Sequence, residues 1–137
     1  MTKLLRDIWI LADSGIVLFH RVFDERIDAT LFGGMLSAIN SFAEELTKGG
    51  LSNFELANKL FILLNKENYL FIANASKKHN LKKLKQELEK IMKKFFELYP
   101  KKLLDNWNGD VSLFKGFERE VEESLEDTIE KLEKAFW

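Results

Sequence analysis

Apolar residues dominate two short segments near the start of the chain, and a turn separates them. Residues 5–12 (LRDIWILA) and 16–23 (IVLFHRVF) are rich in the bulky apolar residues typical of strands. Between them, Asp13-Ser14-Gly15 has turn chemistry, in which glycine supplies a positive φ. The pattern predicts that the chain begins with a β-hairpin.

The next apolar pattern has the period of a helix. Asp28 is a suitable N-cap for a helix that runs from Ala29 to about Thr47, and Gly49-Gly50 would end it. Large apolar residues recur at spacings of three and four, so we expect them to form one buried face. They are Phe32, Met35, Leu36, Ile39, Phe42, Ala43 and Leu46.

Three more strands are predicted over residues 51–56, 60–65 and 69–75, separated by segments of tight-turn length. The run from Leu60 to Leu64 is continuously apolar, which is typical of a strand covered on both faces. A second long helix is expected from Leu81 to Tyr99, where Pro100 stops it. Its predicted buried residues are Leu81, Leu84, Leu88, Ile91, Met92 and Phe95.

A third helix is predicted after a connector that contains Trp107-Asn108-Gly109-Asp110. Its apolar residues recur at helical spacing. They are Phe114, Phe117, Val121, Leu125, Ile129, Leu132 and Phe136. The predicted order of elements is β-β-α-β-β-β-α-α, in one domain that covers residues 1–137.

Charge is distributed unevenly along a chain whose formal net charge is −1. Residues 77–104 hold ten Lys against three Glu, and residues 105–137 hold ten acidic side chains against four basic ones. A basic segment followed directly by an acidic one indicates that the two face each other in the fold. With no cysteine, no signal-peptide pattern and no apolar run of about 18 residues, we expect a soluble cytoplasmic protein.

Nothing in the sequence has the pattern of a catalytic or cofactor site. The two histidines, His20 and His79, lack the spacings of a zinc site, and no glycine-rich phosphate loop occurs. The many carboxylates after residue 117 fall on the non-apolar positions of an amphipathic helix, as on a solvated face. We therefore predict no catalytic residue, no metal and no cofactor, and interpret the chain as a binding module and not an enzyme.

The first helix carries the sharpest signal for binding. Opposite its large apolar residues, the sequence predicts a face of small residues where exposed helices normally carry charges. Two adjacent glycines in a helix each destabilise it by roughly 1 kcal/mol relative to alanine. Such a cost indicates that the glycines have a role, such as the close approach of another backbone. A dimer or partner would dock there, unless the third helix covers the face or the helix begins later. The predicted small-residue face comprises Thr30, Gly33, Gly34, Ser37, Ala38 and Ser41.

The second helix carries the other candidate surface, because it is rich in lysine. Anionic lipid headgroups or an acidic partner could bind there, although a solvated face neutralised by the acidic third helix explains the same pattern. Nucleic acid is not expected, since no aromatic residues are interleaved for base stacking and the net charge is negative. The lysines are Lys77, Lys78, Lys82, Lys83, Lys85, Lys90, Lys93 and Lys94.

Three segments resemble the longin and roadblock superfamily, especially stand-alone prokaryotic, archaeal-type longin-like proteins. The first hairpin of longin proteins resembles the segment IWILADSGIVLFHRVF. The helix that follows it resembles DATLFGGMLSAINSF (Asp28 to Phe42), and the C-terminal segment resembles LDNWNGDVSLFKGFE (Leu104 to Glu118). The resemblance covers nearly the whole chain. It implies an α/β (α+β) longin-like fold, a five-stranded antiparallel sheet with one helix on one face and two on the other.

The resemblance also implies adaptor work. Longin and roadblock domains form homo- or heterodimers, bind small Ras-like GTPases and serve in vesicle-trafficking complexes, and the first helix often contributes to the dimer interface. We therefore expect a dimeric adaptor or regulator of a small Ras-like GTPase. The alternatives are a peripheral membrane-associated trafficking component that uses the Lys-rich helix, and a purely structural subunit of a larger complex.

Overall fold

A computed structural model describes residues 5–12, 14–21, 28–46, 53–56, 59–76 and 80–125, with the side chains of all but 29, 30, 56 and 122–125. The strands are β1 (Ile8–Ala12), β2 (Val17–Arg21), β3 (Asn53–Leu56), β4 (Lys59–Lys66) and β5 (Tyr69–Ser76). The helices are α1 (Ala29–Leu46), α2 (Leu81–Leu98), α3 (Lys101–Asp105) and α4 (Phe117–Leu125), with a 3-10 helix at Val111–Phe114.

One antiparallel sheet contains all five strands in the order β2-β1-β5-β4-β3. The helix α1 packs on one face of this sheet, and α2 and α4 pack on the other. The predicted fold class, the number of strands and the order of the long elements are therefore confirmed. The short helix α3 and the 3-10 helix are additions that the sequence pattern did not predict.

Two turns have the left-handed backbone that their hairpins require. Gly15 follows β1 with φ +93°, as the turn chemistry predicted, although Asp13 lies outside the described residues. Between β4 and β5 the turn has two residues with positive φ, Glu67 at 54° and Asn68 at 67°. Two successive positive φ values are the geometry of the tight turns that match the twist of paired strands.

The sheet separates two apolar cores. Strand β4 contributes to both, because Phe61 and Leu63 face α1 while Leu60 and Ile62 face α2. Its continuous apolar run is therefore covered on both faces, as predicted. The core under α1 is the smaller one; its buried residues are Trp9, Leu11, Leu36, Phe61, Leu63, Leu70 and Ile72.

A buried polar pair joins the segment just before β1 to β5. The backbone N–H of Asp7 donates to Oδ1 of Asn74 at 3.0 Å, and Nδ2 of Asn74 donates to Oδ2 of Asp7 at 3.0 Å. Both residues are at most 2% exposed. Because each polar group has a partner, the pair fixes the position of the first strand without leaving an unpaired charge in the core.

The helix α2 follows its prediction closely. Asn80 caps its first turn by accepting the N–H of Lys82 at 2.8 Å. Leu84, Leu88, Ile91 and Phe95 are buried, while Leu81 and Met92 pack against the same core. Phe96 lies beside this stripe and packs on Tyr69 and Phe71 of β5. Pro100 ends the helix, as predicted, and then begins the short helix α3.

The predicted third helix begins later than its apolar period indicated. Asp110 caps the 3-10 helix by accepting the N–H of Ser112 at 2.9 Å, and α4 starts only at Phe117. Phe114, Phe117 and Val121 are buried as expected. Leu125 ends α4, but its side chain lies outside the described set. The other predicted positions, Ile129, Leu132 and Phe136, lie outside the described residues, as does Trp137. Within the described part of the chain, no helix is long and apolar enough to cross a membrane.

Candidate protein-interaction surface

The helix α1 turns a different side to the sheet from the one that its sequence predicted. Four of the apolar residues expected in the core are exposed: Met35 by 46%, Ile39 by 42%, Phe42 by 64% and Leu46 by 72%. Leu31 is exposed by 74%. Of the predicted buried face, Leu36 is fully buried, and Phe32 and Ala43 are half-buried. The prediction of a buried stripe was wrong for most of its members.

Gly33 explains this rotation. A Cβ atom at Gly33 would lie 2.7 Å from Cγ2 of Val17 and 3.0 Å from Cδ2 of Leu11. The backbone of α1 therefore lies directly against β1 and β2 at this glycine, which has no side chain to keep them apart. The close approach of the backbone at this glycine therefore decides which side of α1 faces the sheet, although larger apolar residues remain exposed. The helix is rotated about its own axis by about a quarter turn from the predicted orientation.

Further contacts hold α1 in this orientation. Near its start, the ring of Phe32 packs on Trp9 with centroids 4.9 Å apart. Near its end, Asn40 is buried, and its Nδ2 donates to Oε1 of Glu44 at 3.4 Å. The same Glu44 oxygen accepts from Nδ2 of Asn65 on β4 at 3.1 Å. Glu44 thus connects the helix to the sheet through polar contacts.

The outer side of α1 presents an apolar stripe, which consists of Leu31, Met35, Ile39, Phe42 and Leu46. Its members are spaced by three or four residues, so their side chains lie in one row along the helix. The exposed fractions of the five residues add up to about three complete side chains. Full burial of one such side chain stabilises a protein or a complex by about 1.5–3 kcal/mol. A contiguous apolar patch of this kind marks an interaction site, whereas isolated exposed leucines do not.

The predicted small-residue face is divided by the observed rotation. Gly34, Ala38 and Ser41 are exposed beside the apolar stripe, and a Cβ at Gly34 would meet nothing within 4 Å. Gly33 faces the sheet, so its expected exposure was wrong. Ser37 is half-buried near Gly15, and the side chain of Thr30 lies outside the described set. The role of these residues in binding stays a prediction.

The lysines of α2 lie on the opposite side of the sheet. Lys82, Lys83, Lys90 and Lys93 are exposed, while Lys85 and Lys94 are half-buried; Lys77 and Lys78 lie outside the described residues. Nζ of Lys90 lies 3.2 Å from Glu87, and Nζ of Lys94 lies 3.6 Å from Glu120 of α4. The acidic last helix therefore neutralises part of the basic one, as the charge pattern indicated.

The groups with unusual electrostatics have structural roles. Burial and the charge of Glu120 raise the pKa of Tyr99, whose hydroxyl donates to the carbonyl of Leu113 at 3.3 Å. Hydrogen bonds from the side chain and backbone of Ser112 lower the pKa of Asp110. Both contacts hold the segment between α3 and α4.

A cavity of about 470 Å³ lies between β2 and the segment that precedes α4. Val17, Phe19 and Phe114 give it apolar walls, and the exposed His20 and Lys115 are among its polar side chains. His79 lies outside the described residues. Within the described ranges, no group of three or more His, Cys, Asp or Glu side chains could hold a metal ion.

Comparison with known families gives one match over nearly the whole chain. The family model described as the first longin domain of FUZ, MON1 and HPS1 matches residues 6–133. The chain belongs to this longin family. Sequence comparison with curated proteins finds no match.

Solved structures extend the likeness of this longin domain to roadblock proteins. MglB of Myxococcus xanthus superimposes with a TM-score of 0.52 at 13% identity, over 69% of this chain and 85% of that chain. A roadblock/LC7 domain from Streptomyces avermitilis gives a TM-score of 0.53 at 14% identity, over 67% and 86% of the two chains. At such low identity, these likenesses establish the fold alone.

Proposed function

We propose that this longin domain is a protein-interaction module that pairs with a longin or roadblock protein and regulates a small Ras-like GTPase in a trafficking-type complex. The apolar stripe of α1 is the observation that carries the proposal. It leaves five large apolar side chains 42–74% exposed in one row. The other exposed large apolar residues in the described part of the chain are at most 46% exposed; they are Ile16, Leu98, Leu103, Val111 and Leu113. The association with GTPases rests on the longin family.

The charges of α1 favour a protein partner over an anionic membrane for this stripe. Residues 29–46 contain no Lys or Arg, and their charged residues are Glu44 and Glu45. Helices that lie on anionic membranes carry basic residues on their polar side. Two carboxylates at the end of the stripe would instead be repelled by anionic headgroups.

The function proposed here is regulatory and not catalytic. In the described residues, His20 is exposed on an edge strand, and the perturbed Tyr99 and Asp110 are engaged in structural hydrogen bonds. A partner protein would therefore supply any nucleotide chemistry. Such a module acts by changing which surfaces of that partner are accessible.

Affinity capture from native cytosol tests the proposal, with bound proteins identified by mass spectrometry. The baits are the wild-type chain, Phe42→Glu and Leu98→Glu. Leu98 is the matched control, because it is a large apolar residue with 43% exposure on α2, on the other side of the sheet. Cytosol loaded with GDP or with a non-hydrolysable GTP analogue distinguishes nucleotide-dependent partners.

We expect wild type and Leu98→Glu to recover a small GTPase or another longin or roadblock protein, and Phe42→Glu to lose it. A GTPase partner should depend on the bound nucleotide. Recovery of the same proteins by Phe42→Glu would show that the stripe is not the interaction surface. A fixed-stoichiometry complex without a GTPase would support a purely structural subunit instead.

A second candidate function, peripheral membrane association, is favoured by the lysines of α2. Lys82, Lys83 and Lys93 are exposed and form no ion pair with any described residue. Each could contribute about 1 kcal/mol at an anionic surface. Sedimentation with vesicles rich in phosphatidylserine at low salt should then be lost in a Lys82→Glu/Lys83→Glu/Lys93→Glu variant. Absence of wild-type sedimentation would exclude this candidate.

A further inference from the structure

We propose that Asn108 and Gly109 form a self-modification site, at which the side chain of Asn108 converts to aspartate and isoaspartate without the help of an enzyme. The site lies in the connector between α3 and the 3-10 helix, on the α2 side of the sheet. It is separate from the apolar stripe of α1, so the inference is independent of the proposed function.

The residue after Asn108 leaves the attacking atom open. The conversion starts when the backbone nitrogen of the following residue attacks Cγ of the asparagine, and a side chain on that residue would shield the nitrogen. Gly109 is exposed with φ +91°, and no described atom beyond its chain neighbours lies within 4 Å of the position that a Cβ would take. Its N–H forms no hydrogen bond with any described residue. This nitrogen is therefore available for the attack.

The carboxamide of Asn108 is held and polarised by the turn. Its Oδ1 accepts the backbone N–H of Asp110 at 3.0 Å, which folds the side chain back toward the intervening nitrogen of Gly109. A donor on this oxygen also stabilises the negative charge that develops there when Cγ is attacked. Asp110 is anchored in turn, because its carbonyl accepts Nε1 of Trp107 at 2.9 Å and its carboxylate accepts the N–H of Ser112 at 2.9 Å.

The chemistry needs no reagent other than water. The nitrogen of Gly109 forms a bond to Cγ of Asn108 and loses its proton to water. The bond from Cγ to Nδ2 then breaks, and the amide nitrogen takes up a proton and leaves as ammonia. Water opens the resulting cyclic imide at one of its two carbonyls, which gives either aspartate or isoaspartate at position 108.

Asn106 is a natural control in the same segment. It is exposed as well, but its Nδ2 donates to the carbonyl of Lys102 at 2.9 Å. The N–H of the residue that follows it, Trp107, donates to the carbonyl of Leu104 at 3.1 Å. Both hydrogen bonds would have to break before the attack, and the side chain of Trp107 crowds the nitrogen. A difference in rate between the two asparagines therefore reports the local geometry.

The isoaspartyl product changes the connector more than the aspartyl product does. Isoaspartate routes the main chain through the Cβ of residue 108 and so lengthens the turn. Asp110 caps the 3-10 helix from this turn, and the buried ring of Phe114 in that helix packs on Phe95 of α2. We therefore expect the isoaspartyl form to loosen the entry into α4. Ordinary aspartate keeps an oxygen that can accept the N–H of Asp110.

Peptide mapping by mass spectrometry tests the site on the full chain. The chain is incubated in mildly alkaline buffer, folded and, in parallel, unfolded in urea. Electron-transfer fragmentation distinguishes isoaspartate from aspartate at each position. Asn108→Gln is the matched control, because it keeps the carboxamide but must form a larger ring, which closes much more slowly.

We expect Asn108 of the folded chain to convert on the order of tenfold faster than Asn106. This ratio corresponds to about 1.4 kcal/mol of activation free energy, the scale of one hydrogen bond. Conversion of Asn108 should be at least as fast in the folded chain as in urea, and Asn108→Gln should stay unconverted. The isolated isoaspartyl form should melt at a lower temperature than Asn108→Asp.

Equal conversion of Asn106 and Asn108 in the folded chain would overturn the proposal. So would slower conversion of Asn108 in the folded chain than in urea, because it would show that the turn protects this side chain. An isoaspartyl form that melts at the same temperature as the fresh chain would overturn the effect of the modification on the connector.

Discussion

The two faces of the sheet use their helices in opposite ways. On one face, α2 buries Leu84, Leu88, Ile91 and Phe95 to within 1% exposure and turns lysines and glutamates outward. On the other face, α1 buries Leu36 and places Gly33 against the strands, while the five large apolar residues of the stripe are exposed. The first helix therefore has a second apolar side that is exposed among the described residues of the chain.

This difference separates residues that stabilise the fold from residues that are available for binding. The α2 face also receives α4 and the 3-10 helix, whose Phe114 and Phe117 pack on Phe95. The α1 face receives no second helix among the described residues. A surface with few internal contacts and many apolar atoms can gain most from a partner.

The largest expected effect comes from Phe95, at the centre of the aromatic cluster on the α2 face. Phe95→Ala should lower the free energy of unfolding by about 3–5 kcal/mol, because it removes a fully buried ring and leaves a cavity. Phe42→Ala removes the same side chain from the exposed stripe. It should change the free energy of unfolding of the monomer by no more than about 0.5 kcal/mol. Urea unfolding at low protein concentration checks both.

Equal losses in these two phenylalanine variants would contradict the contrast between the faces. Such a result would mean that Phe42 is packed within the monomer and that the stripe is part of the core. A loss confined to Phe95→Ala supports the contrast.

The adjacent glycines of α1 give a smaller effect with a matched control. Alanine at Gly33 would meet Cγ2 of Val17 at 2.7 Å, whereas alanine at Gly34 would meet open space. Gly34→Ala should stabilise the chain by about 0.5–1 kcal/mol through helix propensity. Gly33→Ala should be less stable than Gly34→Ala by about 1–3 kcal/mol, because the added methyl overpacks the contact with β2.

Thermal and urea unfolding of the two glycine variants measure this difference. If both alanines stabilised the chain equally, α1 would not approach the sheet at Gly33. The exposed stripe would then lose its structural explanation.

The smallest expected effect concerns pH on the α2 face. Burial and the charge of Glu120 raise the pKa of Tyr99 above its ordinary value of 10.0. The folded chain therefore keeps this proton to higher pH than the unfolded chain does. Its contribution to stability is fully present below pH 10.0 and is lost as the pH rises through the folded pKa.

Absorbance titration of the phenol, with Tyr99→Phe as the reference, measures this pKa. The variant keeps the ring contacts with Phe114 and Phe117 but loses the hydrogen bond to the carbonyl of Leu113. The difference between the two titrations should show one phenol that ionises above pH 10.0. A Tyr99 that ionises at or below that value would indicate a solvated hydroxyl.

The fold could be predicted well because its elements follow strong periodic patterns. The stripe of α2 and the doubly covered run of β4 were both correct, since neither needs information from distant residues. The two-residue turn at Glu67 and Asn68 was less predictable, because glutamate rarely adopts a positive φ. The late start of α4 was not predicted, because Asp110 caps a separate 3-10 helix that contains Phe114. The apolar spacing alone assigned Phe114 to the long helix.

The candidate surface could be predicted only in part. Helical period grouped Met35, Ile39, Phe42 and Leu46 on one side, and that grouping is correct. The sequence could not tell which side faces the sheet, because the decision depends on the contact of Gly33 with Leu11 and Val17. The glycine pair indicated a close approach, but the partner of Gly33 is the chain's own sheet.

The most direct test of the central claim is the solution mass of three chains, measured by analytical ultracentrifugation over a wide range of concentration. The claim is that the apolar stripe of α1 is a surface for pairing with a longin-type partner, which a second copy of this chain provides in this measurement. Wild type and Leu98→Glu should reach twice the 16.0 kDa mass of one chain, while Phe42→Glu stays at the single-chain mass. A Phe42→Glu chain that dimerises as strongly as wild type, or a wild type that stays monomeric throughout, would contradict it.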